Sequence, residues 1–593
     1  MDTSLQTLPQ RLRARASETP DDIAYLQMGL HGEWVETQWH EVLERVDALA
    51  ANLVELGLCR GDHVVIMMPT SPRWEYCQLA ILSAGGIVIG LDAHDAPRNI
   101  RHILELTQPR FVFAGSAEQL ALIIGNWMRP DVSIVASGAH ASATPTHDLD
   151  RLLAPCSEVT QYPPPAPDET ATIVFTSGST GQPKGIEYSH RQIVDACDQI
   201  LQRFPGIGRD ARLACWLPLS NLFQRMINFC ALTCGARSYF VDRPEQIAQL
   251  LPQIAPSFFI GVPRFFEKLH AGILNAISIR PAPIRILVGL AWTVGSRAAT
   301  ARRQGRTPDL LTRALLPAAD RILSKVRGAM GHNLQFMVSG SAPLPRWLAE
   351  RFHGLGWLVL EAYGMSENVV PVAINSPEHY RFGSVGRPLP GNELRIADDK
   401  ELLIRGPGIF KGYYADANDS SPIDAAGFLH TGDYARIDTD GYVWLEGRKS
   451  EVFKTSTGRR IAPAPIEGAL KQIPYVEHAV ITGRNRPYPL AILALDAHHA
   501  ACPDPSGAAG AAAIAADVTA ACTDFTDYQR PGAVVVTTHP FTIVAGELTA
   551  NLKIRRKPVE ERFAPQIDQA YSPPAAAAAP RPGATHMPVI IAP

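Results

Sequence analysis

The chain has 593 residues, 46% hydrophobic and 19% charged, with a formal net charge of −3. That length exceeds one core and implies roughly two to four domains. The charge balance gives no footprint for nucleic acid, and no basic run stands out apart from Lys553 to Lys557. Nine scattered cysteines without a CxxC pair read as reduced, cytoplasmic residues rather than a disulfide frame or zinc site.

The N-terminus, "MDTSLQTLPQRLRARASETP", has arginines but no apolar h-region, so no secretory signal is expected. Residues 40 to 130 alternate helix and strand: "HEVLERVDALAANLVELGL", "DHVVIMMP", "EYCQLAILSAGG", "IVIGL", "IRHILELTQ" and "RFVFAG". This βαβ rhythm favours a parallel sheet covered by helices. A proline-rich connector, "APCSEVTQYPPPAPDE", leads to the short apolar run Ala171 to Phe175, which reads as a buried strand.

The loop that follows, "FTSGSTGQPKG", suits a polyphosphate. Glycines 178, 181 and 185 let several N–H groups converge, Thr176, Ser177, Ser179 and Thr180 add hydroxyls, and Lys184 adds charge. The GxxxxGK[ST] loop does not fit, because Lys184 lies between Pro183 and Gly185. A flexible Ser/Gly linker is the plain alternative.

Residues 265 to 330 read as mostly helical, with Ala319, Ile322, Leu323 and Val326 on one face. The apolar stretch Ile286 to Gly295 is too short to span a bilayer. A buried helix is the favoured reading there, with a membrane-touching helix as the alternative. "LQFMVSGSAPL" returns as strand plus loop. From Glu393 short strands and turns follow, with Asp440-Gly441 as a tight turn. A second unit starts near Arg448, with an alanine-rich helix at 507–521 and the strand "GAVVVTT". The Pro/Ala-rich tail, 566–593, reads as disordered.

Four further stretches share the loop's chemistry. "SGSAPL" (Ser339 to Leu344) is a small-residue turn against which a flat ring could lie. "EAYGMSE" (Glu361 to Glu367) sets an aromatic face, a glycine, a hydroxyl and a carboxylate within reach of a magnesium nucleotide. "HTGD" (His430 to Asp433) offers a carboxylate on a glycine turn, able to accept from two vicinal hydroxyls. "GRKSEVFKTSTGRRIAP" brings Arg448 near the same sugar or a phosphate. Each alone is better read as an ordinary turn or surface group, "EAYGMSE" excepted, which stands even.

Together, in this order, they resemble the adenylate-forming superfamily over roughly residues 10 to 565. "GVPRFFEKL", "ADRILSKVRGAMG" before "VSGSAPLP", "FKTSTGRRIAPAPIE" and "GELTANLKIRRK" look most like bacterial long-chain fatty acid–CoA ligases. The resemblance implies an α/β fold: a large N-terminal domain of layered sheets and helices (1–447) and a small mobile α+β C-terminal domain (448–565). It implies ATP- and Mg²⁺-dependent activation of a medium- or long-chain fatty acid as acyl-AMP, then thioester formation with CoA.

By the same resemblance, Thr176, Ser177, Gly178, Ser179, Thr180, Gly181 and Lys184 hold the β- and γ-phosphates, and Glu367 with Thr176 holds the metal. Ser341, Ala342 and Tyr363, with Gly364 and Ser366 beside them, frame the nucleotide. Asp433 binds ribose and Arg448 fixes sugar and phosphate. Lys553 approaches the reacting carboxylate, and the hinge falls at Ser450.

Several positions depart from the family pattern. "LPLSNLFQR" carries Asn221 and Gln224 where a histidine and a glutamate are usual. Asn221 can donate a hydrogen bond on the thiol side but cannot act as an acid or base. Ser450 replaces a charged hinge residue, and Ser366 replaces threonine. These departures keep a second reading open, a fatty acyl-AMP or acyl-carrier-protein ligase with a phosphopantetheinyl carrier as acceptor. A third is a non-turnover nucleotide-binding relative. No transmembrane segment is expected; peripheral membrane contact stays open.

Overall fold

A computed structural model describes residues 6–29, 31–127, 129, 132–136, 147–154, 163–177, 182–415, 421–542, 545–548, 554–572 and 587–592. The alternating segments of residues 40–130 form a doubly covered sheet. Helices Trp39–Glu55, Pro72–Ser83 and Pro97–Thr107 alternate with strands His63–Met67, Ile87–Gly90 and Phe111–Ala114. These strands are parallel neighbours in a seven-stranded sheet whose far edge is the antiparallel pair Thr170–Ser177 and Pro183–Ser189.

Side chains alternate across a strand, so a run such as Val64-Val65-Ile66-Met67 must meet apolar neighbours on both faces. Val64 and Ile66 pack into the central core, Val65 and Met67 into the core on the opposite face. A nine-stranded sheet is built likewise: Phe258, Ile260, Phe336 and Val338 point into the central core, Phe259 and Met337 away from it. Both sheets thus share the central core. Helix Pro72–Ser83 lies there, with every residue buried except Arg73.

A smaller antiparallel sheet joins Glu393–Ile396, Glu401–Arg405, Leu429–Ile437 and Val443–Arg448. "HTGD" is not a turn, as read above, but part of strand Leu429–Ile437. Gly432, at φ +70°, is absorbed in a register slip opposite Glu401 and Leu403, because a bulge satisfies a positive φ as well as a chain reversal does. The Asp440-Gly441 turn does reverse the chain, with Gly441 at φ +80°.

Beyond Arg448 a hairpin, Phe453–Lys454 with Arg460–Ile461, leads to a four-stranded sheet packed on helices Pro463–Leu470 and Ala508–Ala521. Its last strand, Val589–Ile591, lies parallel to Ala533–Thr537, and Ala564–Ala570 is helical. The tail reading of 566–593 therefore does not hold for these segments: "VII" is apolar and pairs with an otherwise open strand. The sheet and helix Pro463–Leu470 meet the large domain through Arg264 and Glu477 (3.1 Å), Lys471 and Glu267 (3.0 Å), and the Trp347 indole N–H on the Gly468 carbonyl (3.3 Å).

The 265–330 region is helical as expected: Pro263–Ser278, Ala282–Arg303 and Leu310–Arg327. The favoured burial of Ile286 to Gly295 is overturned for its first half. Ile286, Leu287 and Leu290 are exposed, whereas Ala291 and Trp292 are buried. The second half is held because Gly295 and Gly354 let two helices touch; a Cβ on Gly295 would lie 2.3 Å from the Gly354 carbonyl oxygen.

Candidate active site

The antiparallel register sets Thr176 opposite Lys184 and Ser177 opposite Pro183. Gly178, Ser179, Thr180 and Gly181, the connecting loop, lie outside the described residues. The Lys184 ammonium sits over the Tyr413 ring, 4.4 Å from its centroid, and the Tyr413 hydroxyl donates to Glu367 Oε1 at 3.1 Å. One aromatic side chain thus bridges the cation and the carboxylate that sequence reading assigned to phosphate and metal. The negative face of the ring attracts the ammonium and so helps to position it.

Two backbone devices hold this group. The Tyr414 N–H donates to the Gly185 carbonyl (2.8 Å), strapping the Tyr413 segment onto the strand of Lys184. A Cβ on Gly185 would lie 3.0 Å from Tyr414 Cβ and 3.1 Å from both Ile173 and Phe175, so only glycine lets the strap close unhindered. Tyr188, fully buried, donates its hydroxyl to the Ser366 carbonyl and so fixes the strand end carrying Glu367.

The second group sits where strands Leu429–Ile437 and Val443–Arg448 pair. Asp433 is opposite Arg448, whose Nε is 3.2 Å from Asp433 Oδ1, and the buried Tyr363 donates its hydroxyl to Asp433 Oδ2 at 2.6 Å. Burial raises the Asp433 carboxyl above its ordinary value, opposed by the Arg448 guanidinium. Burial drives the Tyr363 phenol well up, with the Asp433 charge acting the same way, so the tyrosine stays a donor. Gly364 is exposed beside it, while Ser366 and Glu367 are half-buried.

The turn after strand Phe336–Ser339 puts Ser341 at φ +68°, with Ser341 and Ala342 exposed. Its anchor is Glu361, a residue the motif reading passed over. Glu361 Oε1 accepts the Leu344 N–H (3.3 Å) and Oε2 accepts the Gly383 N–H (3.1 Å). Burial pushes this carboxyl up to about 7, against the two amides that favour its charged form.

Asn221 stands at the N-cap of helix Leu222–Cys234. Its neighbours press on two strand ends: a Cβ on Gly90 would meet Ser220 Cα at 2.7 Å, and Gly340 faces the Phe223 ring at 3.2 Å. Asn221 is thereby placed between the end of strand Ile87–Gly90 and the Ser341 turn.

Gln224 points inward instead. Its Oε1 accepts the Trp216 and Leu217 N–H groups (3.4 and 3.3 Å), and its Nε2 donates to Asn228 Oδ1 (2.9 Å). Asn228 donates to Glu75 Oε1 (2.6 Å) and Gln78 donates to Glu75 Oε2 (2.6 Å). Arg225 donates to Gln78 Oε1 (3.1 Å) and to the Thr172 hydroxyl (3.0 Å). All of these side chains are buried, and Thr172 belongs to the strand that ends at the phosphate loop. Burial raises the Glu75 carboxyl and lowers Arg225 to about 10, each opposed by the other's charge. Glu75, Gln78 and Asn228 carried no motif signal, since their partners lie some 150 residues away in the chain.

At the seam, Lys449 Nζ is 2.6 Å from Asp399 and 2.9 Å from Glu401, and Ser450 follows it exposed on the surface. Lys553 lies outside the described residues. Among the described residues no group of three or more His, Cys, Asp or Glu side chains could hold a metal ion, and no helix is long and apolar enough to cross a membrane.

The layered large domain, the smaller sheet domain and the strand-end clusters between 176 and 448 define a nucleotide-handling enzyme. The chain belongs to the AMP-binding enzyme family, whose model matches residues 12–414, with the AMP-binding enzyme C-terminal domain matching 451–574. It is 30% identical over 583 residues to the long-chain fatty acid–CoA ligase FadD15 of Mycobacterium bovis, covering 94% of this chain and 95% of that protein. In fold it is similar to the adenylation domain of a carboxylate reductase from Mycobacterium chelonae (TM-score 0.77, 22% identity, 95% of this chain and 91% of that one). It is also similar to the O-succinylbenzoate CoA synthetase MenE of Bacillus subtilis, solved with ATP and magnesium (TM-score 0.67, 20% identity, 92% and 98% covered).

Proposed function

We propose that this chain is an AMP-forming acid–thiol ligase acting in the cytoplasm on a medium- or long-chain fatty acid. The fatty carboxylate attacks the α-phosphorus of ATP, giving acyl-AMP as pyrophosphate leaves; the CoA thiolate then attacks the acyl carbonyl and AMP leaves. The observation that carries this reading is the Lys184–Tyr413–Glu367 bridge, set on the same framework as the Tyr363–Asp433–Arg448 cluster. The likeness to FadD15 over nearly the whole chain supports the acyl substrate.

In this reading Lys184, with the hydroxyls and N–H groups of 176–181, holds the β- and γ-phosphates. Ser341, Ala342, Tyr363, Gly364 and Ser366 frame the nucleotide. Asp433 accepts from the ribose hydroxyls, and Arg448 reaches sugar and phosphate. One carboxylate and one hydroxyl, Glu367 and Thr176, suit a Mg²⁺ that keeps its other positions for phosphate oxygens and water; bound there, it neutralises charge on the phosphates. Asn221 holds the acyl carboxylate or thiol by hydrogen bonding. Ser450, next to the anchored Lys449, is the hinge, and rotation brings Lys553 in for the first half-reaction.

Product analysis by mass spectrometry, with ATP, Mg²⁺, a ladder of fatty acids and CoA, tests the reading; acyl-CoA is expected. Acyl-AMP that persists with CoA but transfers to a phosphopantetheinylated carrier protein favours the loading-enzyme reading, which Asn221 in place of histidine supports. Lys553→Ala should lower acyl-AMP formation by at least ~10²-fold, as for a lost transition-state donor, while supplied acyl-AMP is still converted to thioester. Equal loss in both half-reactions overturns the role of Lys553.

A further inference from the structure

The stretch from Leu274 to Leu290, the end of one helix and the start of the next, contains no buried residue. Yet Leu274, Ile279, Ile284, Ile286, Leu287 and Leu290 are between 37% and 74% exposed. On the second helix Ile284, Ile286, Leu287 and Leu290 spread over roughly 160° of the circumference, with Arg285 on the opposite side of the helix. An aliphatic face this broad and this exposed is costly in water and marks a contact surface.

Charge says what the contact is. Between Glu267 and Asp309 the chain has seven Lys or Arg and no Asp or Glu, although the whole protein carries −3. Arg280 and Arg285 make no ion pair among the described residues, and Arg285 donates to the Ser278 carbonyl at 3.5 Å. A symmetric dimer through this face would bring together two arms that each carry Arg280 and Arg285 and no acid. A groove of about 630 Å³ runs further along the same helix, lined by Arg297, Arg306 and Arg351 beside Trp292. Exposed aliphatic side chains on an arm that carries cations and no acid match a layer of acyl chains beneath phosphates.

We propose that the arm 274–290 docks the protein on an anionic lipid bilayer. The aliphatic side chains enter the acyl boundary while Arg280 takes a lipid phosphate and Arg285, on the far side of the helix, adds attraction to the anionic surface. The contact is peripheral, since no described helix can cross a membrane. The docking rests on this surface alone; that it delivers substrate rests on the fatty-acid reading above.

The test is co-sedimentation of the full chain with vesicles of equimolar phosphatidylcholine and phosphatidylglycerol, against pure phosphatidylcholine. Binding is expected to the anionic vesicles and to be much weaker to the neutral ones. Arg280→Ala should lower partitioning about 5-fold and Arg285→Ala, farther from the surface, by less. Ile286→Glu with Leu287→Glu should lower it at least ~10-fold, with the thermal midpoint and the rate of acyl-AMP formation from a short, water-soluble acid unchanged. No sedimentation of the wild type, or equal sedimentation of the double variant, overturns the proposal. So does a wild-type dimer that the double variant splits, or a carrier protein bound through this arm in place of lipid. Loss of acyl-AMP formation in the wild type would strike the ligase reading and leave the docking test intact.

Discussion

Two regions of the large domain depart from ordinary burial in opposite directions. Behind the strand ends, Glu75, Gln78, Gln224, Arg225 and Asn228 are polar and buried. Along the arm 274–290, aliphatic side chains are exposed. Each carboxylate, amide and guanidinium of the buried group finds a partner within it or on Thr172, although Arg225 Nη2 is left without a hydrogen bond among the described residues. Such a network fixes the helix of Asn221 relative to the phosphate-loop strand, because a shift of either leaves charge unpaired in a medium of low dielectric. Among the described residues the exposed aliphatic side chains of the arm pack on no core cluster, Ile277 being the residue of the arm that does, so they add little to folding.

That contrast inverts the usual consequences of mutation. Arg225→Met should have the largest effect, about 3–5 kcal/mol by chemical denaturation, because Glu75 is left buried without its cation; Glu75→Gln in the same chain should recover part of it. A loss below about 1 kcal/mol breaks the reading of the network.

Glu361 provides a pH-dependent case. Its carboxyl rises from 4.5 to about 7 on folding, so its contribution is complete below pH 4.5 and is lost as pH climbs through 7. Wild-type stability relative to Glu361→Gln should fall by up to about 3 kcal/mol over that window. A difference that stays level with pH removes the buried, protonatable Glu361.

Gly185→Ala should cost about 1–3 kcal/mol through crowding of Tyr414, Ile173 and Phe175, with nucleotide binding weakened in parallel. Leu287→Gln should change stability by less than about 0.5 kcal/mol. A larger loss means the arm packs against something in the free protein.

Much of the fold was legible because its signals are local. The segments of residues 40–130 show their helices and strands through apolar spacing alone, and Ala319, Ile322, Leu323 and Val326 do face the core. "HTGD" misled because a glycine at positive φ has the same letter in a bulge as in a turn. Ile286 misled because composition does not say which apolar face finds a partner. Lys184, Glu367, Tyr363 and Asp433 could be picked out by residue type and order. What joins them could not. Tyr413 and Glu361 act through partners that only the folded chain brings near; Tyr413 sits in no marked pattern, and Glu361, though it opens "EAYGMSE", drew no role there.

The strand Val589–Ile591 has a practical corollary for anyone shortening this chain. It covers Val534, Val535 and Val536, which are completely buried. Ending the polypeptide at residue 586 would uncover a flat row of valines with unpaired N–H and C=O groups, the kind of template on which strands of other molecules add. Trimming what looks like a featureless tail should therefore turn a well-behaved preparation into one that precipitates, while a polar tag appended after Pro593 leaves that edge closed.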